Sequence, residues 1–441
     1  MNVLLISYDN GSHIPFFPQN IFYLMGALKK ARHKVGVWFQ DVHHGKAQDL
    51  TRLLDNANFD IVGFGFVAGY YQYRVANQLA KAINLSKRRK HFRFVVGGHG
   101  PAAAPGFFIS KLMCDIVVVG EGEDLGWIDL PGGVYNAKPC ESDESPIGCY
   151  QDFPMDIYRL IRWPTSNRTD FCFPILSSRG CRWHCSFCYR MRIGFYERSV
   201  DAIIEEIKYL HNQLQINHFQ FSDELLMGSE RRTEEICQAI SRLPFRIKWD
   251  CNGRLNFAHK PILKLMKEAG CEYVNFGIES LNPQLLKDMG KGLTVAQIHE
   301  GVRNTLDEGL SPGLNLLWGF PNDSVDNLWL AVEFLRKYAP CDELRTIRPV
   351  TPYPGTALFE LAVKEGLVKD VEDFYENKHK NSDLISVNFM DMPTQEAHFH
   401  LKMANRALFR NYLDKRWRQF GEQTRKLYTE GDTSFRGFRD V

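Results

Sequence analysis

Short runs of β-branched and aliphatic residues alternate with amphipathic stretches along most of the 441-residue chain. Strands separated by helices align in parallel, because each helical crossover returns the chain to the same end of the sheet. Residues 1–128 carry five such runs, at Val3–Ile6, Val35–Phe39, Ile61–Phe66, Phe94–Gly97 and Ile116–Val119. The pattern predicts an α/β fold that begins with a doubly wound, Rossmann-like sheet, whose ligands bind beyond the carboxyl ends of its strands.

The same alternation returns with longer units in residues 171–369. Six strands are predicted there, at Phe171–Leu176, His218–Ser222, Arg246–Cys251, Tyr273–Gly277, Gly313–Trp318 and Leu344–Val350. Helices are predicted near residues 200–214, 230–242, 259–269, 294–308 and 325–338. Six repeats of this kind predict a partial (β/α)6 barrel with its active site at the carboxyl ends of the strands.

Two segments lack the alternation. Residues 129–170 are rich in Pro, Gly, Ser and Asp, which predicts a linker with little core of its own. Residues 370–441 are aromatic and basic, and they predict a small α-rich cap and tail with a helix near Thr394–Leu413. The basic end from Lys415 to Arg439 is predicted to fray.

Composition and charge exclude several classes of function. The formal net charge is +2 with 24% charged residues, interspersed along the chain, which predicts no nucleic-acid partner. An uncharged apolar run of about 18 residues occurs nowhere, so no transmembrane segment is predicted. The first residues carry no basic stretch or cleavage signal, and the 11 cysteines are expected to be free thiols. We therefore expect a cytoplasmic protein.

Three cysteines, Cys181, Cys185 and Cys188, follow the first predicted barrel strand with C-x₃-C-x₂-C spacing. Three thiolates leave one iron of a 4Fe-4S cube open to another ligand, because a closed cluster uses four. A structural zinc site needs four closed ligands, and His184 has the wrong spacing to complete one. Zinc binding and a chance group of packed cysteines stay as alternatives. The neighbouring Phe187 would shield a cluster from water.

Polar residues follow the next three barrel strands. Ser222, Asp223 and Glu224 end the second strand, and the two acids would complement a cation. Arg254 follows the third strand, where a guanidinium can bind a carboxylate through two parallel hydrogen bonds. Glu279 and Ser280 end the fourth strand, where a buried carboxylate would need donors. The carboxyl ends of parallel strands meet at one edge, so these residues are predicted to gather beside the cysteines.

Glycines follow the strands of the first sheet. Gly97, Gly98 and His99 come after the fourth strand, and Gly120 and Glu121 come after the fifth. Glycine lets the backbone approach a large ligand closely, although the same residues can simply close tight turns. The third strand runs into Tyr70 and Tyr71. A ligand site at these three strand ends is predicted.

The cysteine loop resembles the signature of the radical S-adenosylmethionine (radical SAM) enzymes. In the first 128 residues, Asp-Ile-Val-Gly-Phe-Gly, Phe-Val-Val-Gly-Gly-His and Asp-Ile-Val-Val-Val-Gly-Glu-Gly-Glu resemble the cobalamin-binding domain that precedes many of these enzymes. The resemblance implies a 4Fe-4S cluster held by the three cysteines, a bound SAM and a bound cobalamin. It assigns to SAM the residues Phe187, Ser222, Asp223, Glu224, Arg254, Glu279 and Ser280. It assigns to cobalamin Tyr70, Tyr71, Gly97, Gly98, His99, Gly120 and Glu121.

The first sheet departs from one form of the cobalamin-binding pattern. That form carries Asp-x-His-x-x-Gly after the first strand, whereas Asp9–Ile14 reads Asp-Asn-Gly-Ser-His-Ile. Asp41, His43 and Gly45 have one residue too few and follow the second strand. A histidine ligand to cobalt is therefore not expected, and Tyr70 or Tyr71 is predicted to face the metal. Loss of cobalamin binding is the alternative.

The resemblance implies reductive cleavage of SAM to a 5′-deoxyadenosyl radical, abstraction of a hydrogen atom, and cobalamin-dependent methylation of an unactivated carbon. Cyclisation or rearrangement, as in the anaerobic porphyrin cyclases, is a second interpretation, and a non-catalytic iron-sulfur or cobalamin-binding protein is a third. The implied partners are a small-molecule or natural-product substrate and an electron donor such as flavodoxin or ferredoxin. Residues 370–441 are expected to select the substrate.

Overall fold

The computed structural model describes residues 1–12, 14–141, 143–190, 194–339 and 343–434. Its first sheet has six parallel strands in the order β2-β1-β3-β4-β5-β6. These strands are β1 (Asn2–Ile6), β2 (Lys34–Trp38), β3 (Ile61–Gly65), β4 (Arg93–Gly97), β5 (Ile116–Val119) and β6 (Gly133–Asn136). The accompanying helices are α1 (Gln19–Lys30), α2 (Gln40–His43), α3 (Ala47–Asn56), α4 (Tyr70–Asn84), α5 (His99–Ala103) and α6 (Pro105–Leu112). The predicted Rossmann-like sheet is confirmed, and we call this part of the chain the N-terminal unit.

The two faces of the first sheet belong to different cores. Alternate residues of a strand point to opposite faces, so Leu4 and Val62 lie in a core with α3, α4 and α6. Leu5 and Ile61 belong instead to a core that continues into the barrel. The second face of the sheet is therefore shared with the rest of the molecule.

The second sheet is a curled, open barrel in which each neighbouring pair of strands is parallel, in the order β14-β13-β12-β11-β10-β7. Its strands are β7 (Cys172–Ile175), β10 (His218–Phe221), β11 (Lys248–Gly253), β12 (Cys271–Glu279), β13 (Ser311–Trp318) and β14 (Arg348–Pro349). A separate antiparallel hairpin pairs β8 (Ser178–Gly180) with β9 (Phe195–Glu197). The barrel helices are α8 (Val200–Leu214), α9 (Glu230–Ser241), α10 (Lys260–Glu268), α11 (Pro283–Asp288), α12 (Val295–Asp307) and α13 (Val325–Tyr338). The predicted partial barrel is confirmed.

The segment predicted as a linker contributes more structure than its composition indicates. It contains the sheet strand β6 and the short helix α7 (Met155–Tyr158). Tyr150, Phe153 and Tyr158 are buried, and their rings surround the ring of Phe17 between the N-terminal unit and the barrel. The expectation of little core is therefore wrong, because these aromatic residues fill a junction without any helical or strand periodicity.

A buried ion pair fastens the same junction. Arg198 donates to Glu206 at 2.7 Å, and both side chains are at most 4% exposed. The hydroxyl of Tyr150 donates to the other carboxylate oxygen of Glu206 at 2.6 Å. The linker segment is thus hydrogen-bonded to the first helix of the barrel.

The C-terminal region follows the barrel in two parts. The first contains α14 (Ala357–Lys364), α15 (Val371–Asp373) and the π-helical turn Phe374–Lys378. There Tyr375 stacks on Tyr73 of α4 at 4.6 Å, and Tyr73 donates to Glu376 at 2.6 Å. This part therefore packs on the outer side of the N-terminal unit.

The second part of the C-terminal region is α16 (Thr394–Glu430), which packs along α13. The prediction that the chain frays from Lys415 is wrong as far as Glu430, because the segment is helical to that residue. The remaining predicted fraying, beyond residue 434, lies outside the described residues. Within the described part of the chain, no helix combines the length and apolarity needed to cross a membrane.

The buried His218 at the amino end of β10 predicts a pH-dependent stability. Burial alone would lower its pKa, but the hydrogen bond to Asp250 at 3.1 Å raises the pKa to about 9. The charged His218 therefore stabilises the folded state by up to about 3 kcal/mol. This stabilisation is complete below the unfolded pKa of about 6.5 and is lost as the pH rises through 9. In denaturant unfolding, the stability difference between wild type and His218→Gln should shrink between pH 6.5 and pH 9.5. A difference that is independent of pH would contradict the charged state of His218.

Candidate active site

The three cysteines lie in a loop closed at its base by the β8–β9 hairpin. Cys181 and Cys185 are half-buried, Cys188 is exposed, and all three are free thiols. The backbone amide of Ser186 donates to the carbonyl of Met289 at 2.9 Å, and the amide of Leu358 donates to the carbonyl of Ser186 at 3.0 Å. The middle of the loop is thus fixed to two other segments at the carboxyl end of the barrel.

The thiols share one electrostatic environment with Glu224. Burial raises the pKa of Cys188 to about 11, and the charges of Glu224 and the other two cysteines add to this effect. Burial also raises the pKa of Cys181, and the charge of Glu224 raises it further. Thiolates here need a positive partner, which iron supplies. Among the described residues no three His, Cys, Asp or Glu side chains could hold a single metal ion together.

Arg254 packs against the cysteine loop. Its guanidinium carbon lies 3.6 Å from the centre of the Trp183 ring, and it donates to the backbone carbonyl of Lys291. It also interacts with the thiol of Cys185. These contacts hold the cysteine loop, and the predicted contact of Arg254 with SAM stays a prediction.

Asp223 is fully buried and binds the backbone of Ser177 and Ser178, which precede the cysteine loop. One carboxylate oxygen accepts from the amides of Ser177 and Ser178, both at 2.7 Å, and the other accepts from the Ser177 hydroxyl at 2.5 Å. Burial raises the pKa of Asp223 to about 6. Asp223 therefore holds the backbone of Ser177 and Ser178, and its predicted direct contact with SAM stays a prediction.

Ser222 and Glu224, on either side of Asp223, line a cavity instead. The hydroxyl of Ser222 donates towards Gln19 of α1 at 2.7 Å. Glu224 is exposed and makes no hydrogen bond or ion pair with another described side chain. Of the three predicted acceptors on this strand end, Glu224 is the one available to a cation.

Glu279 forms a buried ion pair with Lys291, next to Gly277. Its carboxylate accepts from Lys291 at 3.0 Å, and both side chains are at most 10% exposed. A Cβ on Gly277 would collide with the Glu279 carboxylate and lie 2.9 Å from the Lys291 ammonium. Glu279 itself has φ of +66° where β12 shifts register. Ser280 accepts from the amide of Asn282 at 3.1 Å, so it supports the start of α11.

Aromatic residues of the loop contact two other segments. Phe187 meets Phe320 edge to face, with the ring centres 5.6 Å apart. Tyr189 lies over Gly355, where a Cβ would be 2.7 Å from its ring, and its ring centre is 6.1 Å from that of His99. The loop therefore connects the barrel with the N-terminal unit.

A cavity of about 340 Å³ lies between the N-terminal unit and the barrel. The N-terminal unit lines it with residues that include Gly97, Gly98, His99, Gly120 and Glu121. The barrel lines it with Ser178, Arg179 and Gly180, directly before Cys181, and with Ser222 and Glu224. Burial lowers the pKa of His99, which favours a neutral imidazole.

Tyr70 and Tyr71 are not among the residues that line this cavity. They form the first turn of α4, where the ring of Tyr70 meets that of His379 at 5.9 Å. The ring of Tyr71 covers Gly11, where a Cβ would be 3.0 Å away. The start of α4 directs both rings to these contacts, and the prediction that Tyr70 or Tyr71 faces a cobalt ion stays a prediction.

Glu121 takes part in an ion pair across the cavity wall. Arg179 donates to Glu121 at 3.2 Å and to Glu123 at 2.7 Å. Glu121 also accepts from the amide of Cys140 at 2.7 Å. Glu121 therefore links the N-terminal unit to the strand that leads to Cys181, and its predicted contact with cobalamin stays a prediction.

Sequence reasoning missed Arg179 and the α1 side chains of Gln19, Asn20 and Tyr23, all of which line the cavity. Arg179 stands two residues before the first cysteine, and this proximity was the available signal. The α1 residues carry no motif, because a polar helix face resembles any solvated face.

Two family descriptions match separate parts of the chain. The Radical SAM superfamily matches residues 175–335, and the B12 binding domain matches residues 14–125. The first range holds the cysteine loop and β10–β13, and the second holds most of the N-terminal unit.

Curated relatives extend the match over most of the chain. An uncharacterised methyltransferase of Pyrococcus horikoshii is 31% identical over 359 residues, which cover 74% of this chain and 75% of that protein. The bacteriochlorophyllide d C-12(1)-methyltransferase of Chlorobaculum tepidum is 27% identical over 57% of this chain and 56% of its own length. The hopanoid C-3 methylase of Methylococcus capsulatus is 24% identical over 81% of this chain and 71% of its own length.

Solved structures share the fold. The radical SAM methyltransferase TsrM from Kitasatospora setae has a TM-score of 0.65 at 18% identity, covering 82% of this chain and 78% of that chain. The cobalamin-dependent SAM radical enzyme OxsB has a TM-score of 0.61 at 19% identity, covering 90% of this chain and 60% of that chain. The chain belongs to the radical SAM enzymes that carry a B12-binding domain. The predicted family, enzyme class and cofactor classes are thereby confirmed.

The packing of Gly277 predicts a large effect of one methyl group. Gly277→Ala should lower the free energy of unfolding by about 1–3 kcal/mol, since the added Cβ overpacks the site and the buried Glu279–Lys291 pair must shift. Gly148→Ala is the control, because no atom lies within 4 Å of a Cβ built there. Denaturant unfolding measures both variants. Equal stabilities would show that the pair can move without cost.

The Arg179 ion pairs predict a second stability effect. Arg179→Ala removes the partly buried cation that pairs with Glu121 and Glu123 and should cost about 2 kcal/mol. Replacing both acids by glutamine in the Arg179→Ala background should restore part of that loss, because the uncompensated charges are removed. Thermal unfolding of the three proteins tests this, and the absence of any recovery would contradict the ion-pair account.

Proposed function

We propose that this protein is a cobalamin-dependent radical SAM methyltransferase that acts on a carbon atom of a small molecule or natural product. The single observation that carries the proposal is the shared cavity. One wall is formed by the glycine-rich strand ends of the N-terminal unit, and the other lies directly before the three-cysteine loop. A cobalamin site and an iron-sulfur site would therefore open onto one space.

The residues present fit these groups. Cys181, Cys185 and Cys188 would hold a 4Fe-4S cluster with one iron open. Gly97, Gly98 and Gly120 would allow a corrin ring to approach the backbone of β4 and β5. When bound, the cluster, SAM and cobalamin supply reductive cleavage of SAM, a 5′-deoxyadenosyl radical and a methyl group.

The chain's own residues would bind SAM, orient it and exclude water from the site. Glu224 offers an anion to the ammonium or sulfonium of SAM, and Ser222 offers a hydroxyl beside it. Asp223 and Arg254 fix the backbone and the loop on which the cysteines lie. Phe187 and Phe320 close one side of the loop with apolar surface, which protects a carbon radical from water.

Carbon methylation is the proposed outcome because several relatives are named for it. The bacteriochlorophyllide and hopanoid enzymes are named as methyltransferases or methylases of stated carbon positions. A magnesium-protoporphyrin cyclase is 23% identical, so cyclisation has weaker support. We further propose flavodoxin or ferredoxin as the electron donor, a cytoplasmic location, and selection of the substrate by the C-terminal region.

Replacement of any one of Cys181, Cys185 and Cys188 by alanine should abolish formation of 5′-deoxyadenosine, since each thiolate holds one iron. The proteins are reconstituted anaerobically with iron, sulfide and hydroxocobalamin, and then assayed with SAM and dithionite. Cys114→Ala is the control, because this cysteine is buried beneath α6 in the N-terminal unit. Iron content should fall in the loop variants and stay unchanged in the control.

Visible absorbance after gel filtration measures retained cobalamin. The loop variants should keep cobalamin, because its proposed site lies on the opposite wall of the cavity. Transfer of a labelled methyl group from SAM into a small-molecule product distinguishes methylation from cyclisation. Continued formation of 5′-deoxyadenosine by a loop variant, or zinc in place of iron, would refute the proposal.

A further inference from the structure

The last 22 residues of α16 have an apolar face that lies away from the protein. The buried residues of α16 are Ala397, Leu401, Ala404 and Leu408, which face α13. Lys415 continues this face, since its ammonium donates to the carbonyls of Arg336 and Ala339, both at 3.1 Å. None of residues 416–430 is buried. The helix thus continues for about four turns beyond its last contact with α13.

A terminal apolar stripe runs along residues 409–430. It consists of Phe409, Leu413, Trp417, Phe420, Leu427 and Tyr428. Successive members of the stripe are four, four, three, seven and one residues apart. At about 100° per residue, these spacings place the side chains within about a third of the helix circumference. The face that packs on α13 is on the opposite side. Trp417 and Tyr428 are 74% and 77% exposed, so the stripe is not part of the core.

The stripe is accompanied by uncompensated positive charge. Residues 409–430 contain six basic residues, Arg410, Lys415, Arg416, Arg418, Arg425 and Lys426, and three acidic residues, Asp414, Glu422 and Glu430. Arg425 pairs with both glutamates, and Lys426 pairs with Glu422 at 3.9 Å. Arg410, Arg416 and Arg418 form no ion pair with another described residue. At helical spacing, Arg410 and Arg416 border the stripe on its two sides.

We propose that residues 409–430 bind the surface of an anionic lipid bilayer as an interfacial amphipathic helix. An apolar face with Trp and Tyr, bordered by arginines, matches the boundary between acyl chains and anionic headgroups. Anionic headgroups would neutralise Arg410 and Arg416, which border the stripe. A second copy of this chain would instead bring the same uncompensated cations together. The helix lies on the bilayer and does not cross it.

Co-sedimentation of the full-length protein with vesicles tests the proposal. We expect binding to phosphatidylcholine vesicles that contain 30% phosphatidylglycerol, weaker binding at high salt, and little binding to phosphatidylcholine alone. The double variant Leu413→Gln and Trp417→Ala should weaken binding at least about tenfold, because it removes two apolar anchors. The double variant Arg410→Gln and Arg416→Gln should weaken binding to the anionic vesicles. Leu85→Gln, at a 65% exposed position of the N-terminal unit, is the matched control and should bind as wild type.

Circular dichroism and thermal unfolding measure whether each variant retains its fold. We expect every variant to do so, because every substituted side chain is exposed. Failure of the wild type to bind anionic vesicles would overturn the proposal, as would equal binding to both kinds of vesicle. A dimer in sedimentation equilibrium that the Leu413 and Trp417 variant converts to a monomer would also overturn it, since a second copy would then cover the stripe.

Discussion

The parallel direction of the strands is the constraint on which the rest of the structure depends. Every strand of a parallel sheet ends at the same edge, so residues far apart in sequence are brought together there. In this chain the carboxyl edges of two such sheets border one cavity. The cysteine loop, the polar ends of β10 and the glycines after β4 and β5 meet for this reason, without any long-range sequence signal.

Much of the fold could be predicted because strand and helix patterns are local. The five predicted strands of the first sheet and five of the six in the barrel agree with the structure to within about two residues. The sixth barrel strand is reduced to Arg348–Pro349, since an edge strand that ends in proline forms few ladder hydrogen bonds. The cysteine spacing was equally readable, because Cys181, Cys185 and Cys188 lie within a single short loop.

The roles of individual polar residues were harder to predict. Asp223, Arg254 and Glu121 were all expected to contact a cofactor, and each of them holds protein groups. A polar residue at a strand end can point into the cavity or back towards the neighbouring loop, and the sequence is the same in either case. The difference depends on the buried donors and acceptors that other segments bring, such as the amides of Ser177 and Ser178. The buried aromatic residues of the linker were missed for the same reason.

The C-terminal region has a consequence for how such enzymes can be recombined. Phe374 and Tyr375, which follow the barrel in sequence, lie in the outer core of the N-terminal unit with α4 and α6. The first part of the chain and the segment that follows the barrel therefore share one core. A chimaera that exchanges only residues 1–128 would replace one side of this contact, and a grafted N-terminal unit would need its own version of residues 357–390 to dock.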